Sequence, residues 1–289
     1  MEETRFATIV LAGKPNAGKS TLLNRIVRVD LAITSPKPQC TRYPVIGIHT
    51  EGDTQLEFVD PPGLLDPSYA LQEAMLAHAV TAIEAAHAIL YLHPITDGEP
   101  PDLASLLPDD TKISAPVLTV LTKSDLVETL PAFSSSRLPA CAVTGEGIDA
   151  IIAWCSDRAR PGPFRHEPDS ASAQPVRFFA AEFIRGAAFN LLGQELPYAV
   201  SVEVDEYQED RDPVYIRATI FVERESQKGM VIGREGRTIK TIGQTAREAT
   251  ETLLGERVYL DLRVKVLPKW RKSPQHLRRL GLPVPESRT

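Results

Sequence analysis

The stretch GKPNAGKS, residues 13–20, restricts this chain more than any other eight residues. It fits G-x-x-x-x-G-K-[ST] in full, with Gly13, Gly18, Lys19 and Ser20 in the required places. An apolar run, FATIVLAG (6–13), leads into it, and an amphipathic one, KSTLLNRIV (19–27), leaves it. Strand, glycine loop and helix in that order make a phosphate grip. The glycines let backbone N–H groups approach phosphate oxygens, and the helix N-terminus adds partial positive charge. Lys19 is placed for β- and γ-phosphates and the Ser20 hydroxyl for Mg2+. Such a loop belongs in a parallel α/β sheet, so further strand and helix units are expected beyond it.

The first half supplies them. LEFVDPPG (56–63) reads as a strand ending in a Pro-Gly turn, and LQEAMLAHAVTAIEAA (71–86) has helical spacing. AILYL (88–92) and PVLTVLTK (116–123) read as buried strands, LPACAV (138–143) as a short apolar run, and IDAIIAWCS (148–156) as a closing helix. RARPGPFRHEPDSASAQP (158–175) then has four prolines and no apolar periodicity, the composition of a linker. The expected division is a first domain over 1–157, a linker over 158–175 and a second domain over 176–289. In the second, VRFFAAEFIRGAAFNLLG (176–193) reads as a helix, and AVSVEVDEY (199–207), VYIRATIFVE (214–223) and RVYLDLRVKV (257–266) alternate as strands do. A helix–loop–helix lies between the last two strands, and PQHLRRLGL (274–282) is a short basic helix.

Two domains suit 289 residues. With 43% hydrophobic and 24% charged residues, the composition is that of a soluble globular protein. No apolar run reaches the ~18 residues of a membrane span, and the acidic start lacks the basic region of a signal peptide. Three cysteines (Cys40, Cys141, Cys155) without a CxxC pair suit a reducing cytoplasm, and six histidines without HxxxH or HExxH spacing give no expectation of zinc. The net charge of −6 alone argues against nucleic acid. Its distribution does not: residues 224–289 hold 15 Lys and Arg against 7 Asp and Glu, net +8, which leaves −14 on residues 1–223. A basic end on an acidic body suits a local polyanion site. Incidental arginines on a solvated helical surface are the other reading of charge alone.

Three later stretches select the nucleotide. Asp60 and Gly63 form D-x-x-G, an acidic partner for Mg2+ at a strand end and an amide for the γ-phosphate. Thr122, Lys123 and Asp125 form [N/T]-K-x-D. A carboxylate there accepts from guanine N1–H and N2–H2, which adenine cannot offer together, while the lysine stem covers the base. In CAVTG (141–145), the Ala142 amide is placed for guanine O6.

A second glycine pair, Gly233 and Gly236, makes G-x-x-G in VIGREGRTIK. Strand, strand, helix, GxxG, helix, strand is the order of a type II KH domain, whose loop clamps a nucleic-acid backbone while bases lie in an apolar groove. Arg234, Arg237 and Lys240 supply charge. Val231, Ile232, Ile239 and Ile242 are candidates for the groove floor, or else for plain helix core. Glu235 opposes phosphate and is expected to point away. Lys269, Trp270 and Arg271 extend the basic surface, with Trp270 placed either to stack on a base or to pack at the domain edge.

These residues resemble the translation-factor class of P-loop GTPases and, within it, the Era family. The likeness runs over nearly the whole chain through GKPNAGKSTLLNRIV, AITSPKPQCTRYPVIGIHT, FVDPPG, RFFAAEFIRGAAFNLLGQELPYAVSVEV and MVIGREGRTIKTIGQTAREA. The resemblance implies a doubly wound, mostly parallel P-loop GTPase sheet followed by a smaller α/β type II KH domain. It implies slow GTP hydrolysis to GDP and phosphate, with Lys19, Thr41 and Gly63 as the catalytic set. Ser20, Thr41 and Asp60 would hold Mg2+. Asn16, Ala17, Thr21 and Cys141 would join the other named residues around GTP or GDP, with K+ near Asn16. The RNA implied is the 3′ end of 16S rRNA and the setting 30S ribosomal subunit assembly, with no DNA partner. A cytoplasmic monomer is expected, its membrane association at most peripheral at the inner face.

The chain departs from the family pattern at three positions. Thr122 stands where asparagine is usual, which predicts a weaker nucleotide grip with the base choice unchanged, because Asp125 remains. Pro61 replaces threonine and Cys141 replaces serine, the latter expected to loosen the loop that presents Ala142. Leu64 follows Gly63 where Ras-type enzymes carry a water-orienting glutamine, so backbone and ions would have to orient the water. Two other readings stay open on the residues: a non-catalytic RNA-binding KH protein with a weakened nucleotide site, and a GTPase of tRNA modification. The latter would need a tetrahydrofolate-type domain or a catalytic cysteine motif, and neither stands in the sequence.

Overall fold

The computed structural model describes residues 4–129 and 136–284. The acidic start at residues 1–3 and the last five residues of the expected second domain lie outside the described residues. The described residues divide into two compact units, one through Ala173 and the other from Gln174, with Tyr69–Leu71 assigned to the second.

In the first unit, β1 (Arg5–Ala12) is buried along most of its length and hands the chain to α1 (Lys19–Val27). Then come β2 (Val45–Glu51), β3 (Thr54–Asp60), α2 (Ala70–Ala85), β4 (Ala88–Pro94), β5 (Val117–Thr122), β6 (Arg137–Ala140) and α3 (Ile148–Ser156). The sheet order is β2-β3-β1-β4-β5-β6. Every pair along it is parallel except β2 with β3, a hairpin. Val10, Ile89 and Tyr91 pack on Ala79 and Ile83 of α2, which accounts for the continuous apolar strands that the sequence shows. The turn between β2 and β3 is tight, but β2 carries a glycine where an alternating pattern needs a side chain. A Cβ on Gly47 would lie 2.7 Å from Leu23 and from Val27 of α1, so the helix sits directly on the strand there. The run 138–143 is strand only to Ala140; its Pro139 is tolerated because β6 ends the sheet.

The proline-rich stretch expected as a linker spends most of its length bound to this sheet. Its β7 (Arg160–Pro161) pairs antiparallel with the start of β1. Gln55 Oε1 accepts from the N–H groups of Arg165 and His166 at 3.0 Å each, and the His166 ring meets Glu57 at 2.7 Å. Ile48 N–H donates to the Ala171 carbonyl at 2.8 Å, and Ser172 Oγ donates to the Ile46 carbonyl. Prolines cannot donate to a ladder, so this strap shows no strand pattern in sequence.

The second unit runs α4 (Val176–Leu191), α5 (Leu196–Ala199), β8 (Ser201–Gln208), β9 (Val214–Val222), α6 (Glu225–Ile232), α7 (Arg237–Leu254), β10 (Val258–Val266) and α8 (Pro274–Arg279). Its sheet order is β10-β9-β8, with β10 parallel to β9 and β8 antiparallel to it. Ile184 and Ala188 of α4, Ala218, Ile220 and Val222 of β9, and Ile242 and Ala246 of α7 form the core. Each large aliphatic side chain fully buried there contributes about 1.5–3 kcal/mol.

Candidate nucleotide and nucleic-acid sites

The parallel strands β1, β3, β4 and β5 end on one edge of the first sheet, and the loops beyond them make the site, as open α/β sheets do. Residues 13–18 cross from β1 to α1. Above them a cleft of about 370 Å³ is lined by Asn16, Gly18, Lys19, Ser20, Thr21, Thr41, Gly63 and Lys123. Sequence reading found those eight. It missed the cover supplied by Ile33 to Pro36, Gln39 and Cys40, which has no fixed-offset motif of its own. Asn16 Nδ2 donates to the Pro36 carbonyl at 2.9 Å and joins this cover to the loop.

Three oxygens meet at the base of the cleft. Ser20 Oγ lies 2.6 Å from Asp60 Oδ2 and 3.2 Å from Thr41 Oγ1. Asp60 is fully buried, and among the described residues its Oδ1 has no hydrogen-bond partner. Burial pushes its pKa up to about 6, against the pull of Lys19 and the Ser20 hydroxyl. Lys19 is buried too, its Nζ donating to the Lys14 carbonyl at 3.3 Å. Burial holds the Lys19 pKa below its ordinary value, with Asp60 opposing. A desolvated carboxylate with an orphaned oxygen, beside two hydroxyls, is a hard oxygen donor set that fits Mg2+. The ion would supply charge neutralisation for a polyphosphate. Leu64, buried, donates its N–H to the Gly13 carbonyl at 2.9 Å and presents no polar side chain.

The loops expected to hold guanine flank this cleft. Thr122 is buried at the end of β5, and its Oγ1 donates to the Ala17 carbonyl at 2.8 Å. The brace from β5 to the phosphate loop thus survives the shorter side chain. Lys123 has φ 60°, in the left-handed region, and turns the chain toward the cleft; Asp125 follows on an exposed turn. Cys141 is tied to both sides of its loop. It is buried, its sulfur accepts from Thr144 N–H at 3.4 Å, and its own N–H donates to the Glu146 carbonyl at 3.0 Å. Ala142 lines an adjoining cleft of about 770 Å³, which shares Thr21 with the first. Ser124 Oγ donates to Glu146 at 3.4 Å and ties the two loops together.

In the second unit, the 233–236 loop joins α6 to α7. Gly233 has φ 75°, and a Cβ there would lie 2.9 Å from the Thr238 backbone nitrogen, so no side chain fits. Arg234 and Arg237 are largely exposed, as is Lys240. Glu235 does not point away: it lies 2.8 Å from Arg237 and 3.8 Å from Arg234. Ile232 and Ile239 keep some exposure, whereas Val231 and Ile242 have none and belong to the core. Val231 therefore supports the loop from behind and is corrected from a contact to a packing residue. Trp270 is corrected likewise. It is fully buried and its Nε1 donates to the Ala199 carbonyl at 2.8 Å, which leaves no ring face for stacking. Arg271 is half-buried and paired with Glu223 at 2.6 Å, while Lys269 is exposed. Among the described residues, no helix is long and apolar enough to cross a membrane.

The comparisons with known proteins agree with both units. A family model described as 50S ribosome-binding GTPase matches residues 8–123, and one described as KH domain matches residues 195–271. The chain is 37% identical to the GTPase Era of Carboxydothermus hydrogenoformans, covering 96% of each protein. It is 36% identical to that of Bradyrhizobium diazoefficiens, over 98% of this chain and 96% of the relative. Among solved structures, a variant of Aquifex aeolicus Era bound to GDP and AlF4− superposes with a TM-score of 0.89 at 30% identity, over 96% of this chain and 99% of that one. Era in complex with MgGDPNP and nucleotides 1506–1542 of 16S ribosomal RNA superposes with a TM-score of 0.88, at the same identity and coverage. With a phosphate loop, a desolvated carboxylate beside two hydroxyls and a GxxG loop in place, and with relatives of this identity over nearly its full length, this chain belongs to the Era family of GTPases, which hydrolyse GTP.

Proposed function

We propose that this GTPase is a switch that binds the 3′ end of 16S rRNA and acts in 30S subunit assembly. The observation that carries the reading is the full-length likeness to an Era solved with both MgGDPNP and that RNA segment. Gly13, Ala17, Gly18, Lys19 and Thr21 cradle the phosphates, and Ser20, Thr41 and Asp60 hold Mg2+. Thr122, Lys123, Asp125, Cys141 and Ala142 form the guanine pocket. Lys19, Thr41 and the Gly63 amide stabilise the charge that develops on the γ-phosphate. With Leu64 in place of a polar side chain, the attacking water is left to backbone groups and ions, K+ beside Asn16 among them. Residues 176–284 act as the RNA module: Gly233 and Gly236 allow close approach, and Arg234, Arg237, Lys240, Lys269 and Arg271 neutralise phosphates. Ile232 offers an apolar surface to a base. The protein works in the cytoplasm as a monomer.

The oxygen cluster at Ser20, Thr41 and Asp60 and the retained Thr122 brace favour this over an RNA-binding protein with a decayed nucleotide site. GTP orders the segment around Thr41 and Gly63 and thereby raises RNA affinity; hydrolysis reverses this. The test is binding of a short RNA matching the 16S 3′ end with Mg2+ and a non-hydrolysable GTP analogue, with GDP, and with neither. A scrambled RNA serves as control at fixed salt. Tighter, sequence-specific binding with the analogue is expected. Equal affinity in all three states would remove the switch, since equal affinity means no coupling. Binding no better than the scrambled control would remove the RNA assignment.

A further inference from the structure

The GxxG loop carries an acid between its two arginines. Glu235 has φ 56° and ψ 27°, a left-handed conformation uncommon for a residue with a side chain. Its Oε2 lies 2.8 Å from Arg237 Nη2 and its Oε1 lies 3.8 Å from Arg234 Nε. The three side chains are 62%, 75% and 87% exposed for Glu235, Arg237 and Arg234, so these pairs add little to stability. What they do is set a carboxylate beside the positive groups that a strand's phosphate would seek.

A carboxylate there cannot bind the phosphodiester, which carries no proton and the same sign of charge. It is an acceptor only. Along a nucleic-acid backbone, the group that donates is the ribose 2′-hydroxyl, which RNA has and DNA lacks. We propose that Glu235 is the residue by which this loop tells RNA from DNA: Arg234 and Arg237 take the phosphate, and the Glu235 carboxylate accepts from the neighbouring 2′-hydroxyl. A DNA strand would present a methylene to the same carboxylate and keep its repulsion with no bond in return. The proposal rests on the RNA reading of the loop given above, and Glu235 adds the choice of sugar to it.

The experiment uses the full chain with Mg2+ and a non-hydrolysable GTP analogue, at one salt concentration. Binding of the 16S 3′-end RNA is compared with DNA of the same sequence, for the native protein, Glu235→Ala and Arg237→Ala. Glu235→Ala is expected to bind DNA more tightly and to lose roughly fivefold of the RNA preference, the value of one hydrogen bond. A set of RNAs with a single 2′-deoxy nucleotide should contain one that weakens the native protein by that same factor and leaves Glu235→Ala unchanged. Equal gains for RNA and DNA in Glu235→Ala would make the carboxylate a simple competitor and overturn the proposal, as would no change in either. Arg237→Ala separates the two levels. If it leaves RNA affinity intact, the loop is not the RNA grip and the reading beneath the proposal falls with it. If it weakens RNA while Glu235→Ala keeps its preference, only the sugar assignment falls.

Discussion

The hydroxyl of Thr122 spans 2.8 Å from β5 to the Ala17 carbonyl in a buried position, and this one bond stiffens the phosphate loop from beneath. Thr122→Val keeps the shape and removes the donor, leaving a buried carbonyl unpaired at a cost of about 1 kcal/mol. Guanine nucleotide affinity is expected to fall about fivefold in a GDP titration, with the preference for guanine over adenine unchanged because Asp125 is untouched. At this scale the legible residues were those whose chemistry is tied to a fixed offset: Gly13, Gly18, Lys19 and Ser20 in one loop, and Asp60 at a strand end. Trp270 was not legible, because lysine and arginine neighbours surround a packing tryptophan and a stacking one alike. Its place is decided by the Ala199 carbonyl, 71 residues away in the chain. Thr41 stands between these cases, found by resemblance and placed 3.2 Å from Ser20 by the fold.

At the scale of elements, the turn from α6 to α7 depends on a position that excludes Cβ. Gly233→Ala should distort the loop against Thr238 and cut RNA affinity at least tenfold while GTP turnover without RNA is unchanged; filter binding and a phosphate-release assay read the two. The start of β4 gives a second expectation. His87 Nδ1 accepts from Thr8 N–H at 2.9 Å, so its ring must be neutral at that atom. Burial, then Arg160 and Arg165, hold its pKa below 6.5, against Glu57. Between 6.5 and the folded value the unfolded chain binds the proton that the folded chain refuses. The stability linked to this site is therefore whole above pH 6.5 and is lost as pH falls through that window. Asp60, its pKa raised to about 6, works the other way, since its buried carboxylate favours the folded chain more as pH falls. So the loss is read as the difference between the native protein and His87→Asn in thermal melts from pH 7.5 to 5.5, a difference that should shrink toward pH 5.5. The variant keeps some slope, because burial also lowers the pKa of His78. Strand and helix positions read from periodicity agree with the structure to within a few residues. Three elements escaped: β7 and α5, too short to carry a period, and β2, whose Gly47 exists to admit α1, a packing requirement that leaves no alternation to read.

At the scale of the whole molecule, each unit has its own sheet and its own apolar core, and the nucleotide cleft lies in the first. Two unfolding transitions are expected by calorimetry, of which Mg2+ with GDP should raise one by about 2.7 kcal/mol at a hundredfold excess over Kd and leave the other where it was. A single transition that moves as a whole would mean that the units unfold together. The strap has a further consequence for behaviour in concentrated solution. Its contacts from Ala171 and Ser172 lie along β2, the last strand of the sheet, whose outer N–H and C=O groups would otherwise stand ready to pair with the same strand of another molecule. The segment that leads to the RNA module thus also guards against self-association, and a change that peels it away would show first as turbidity rather than as lost catalysis.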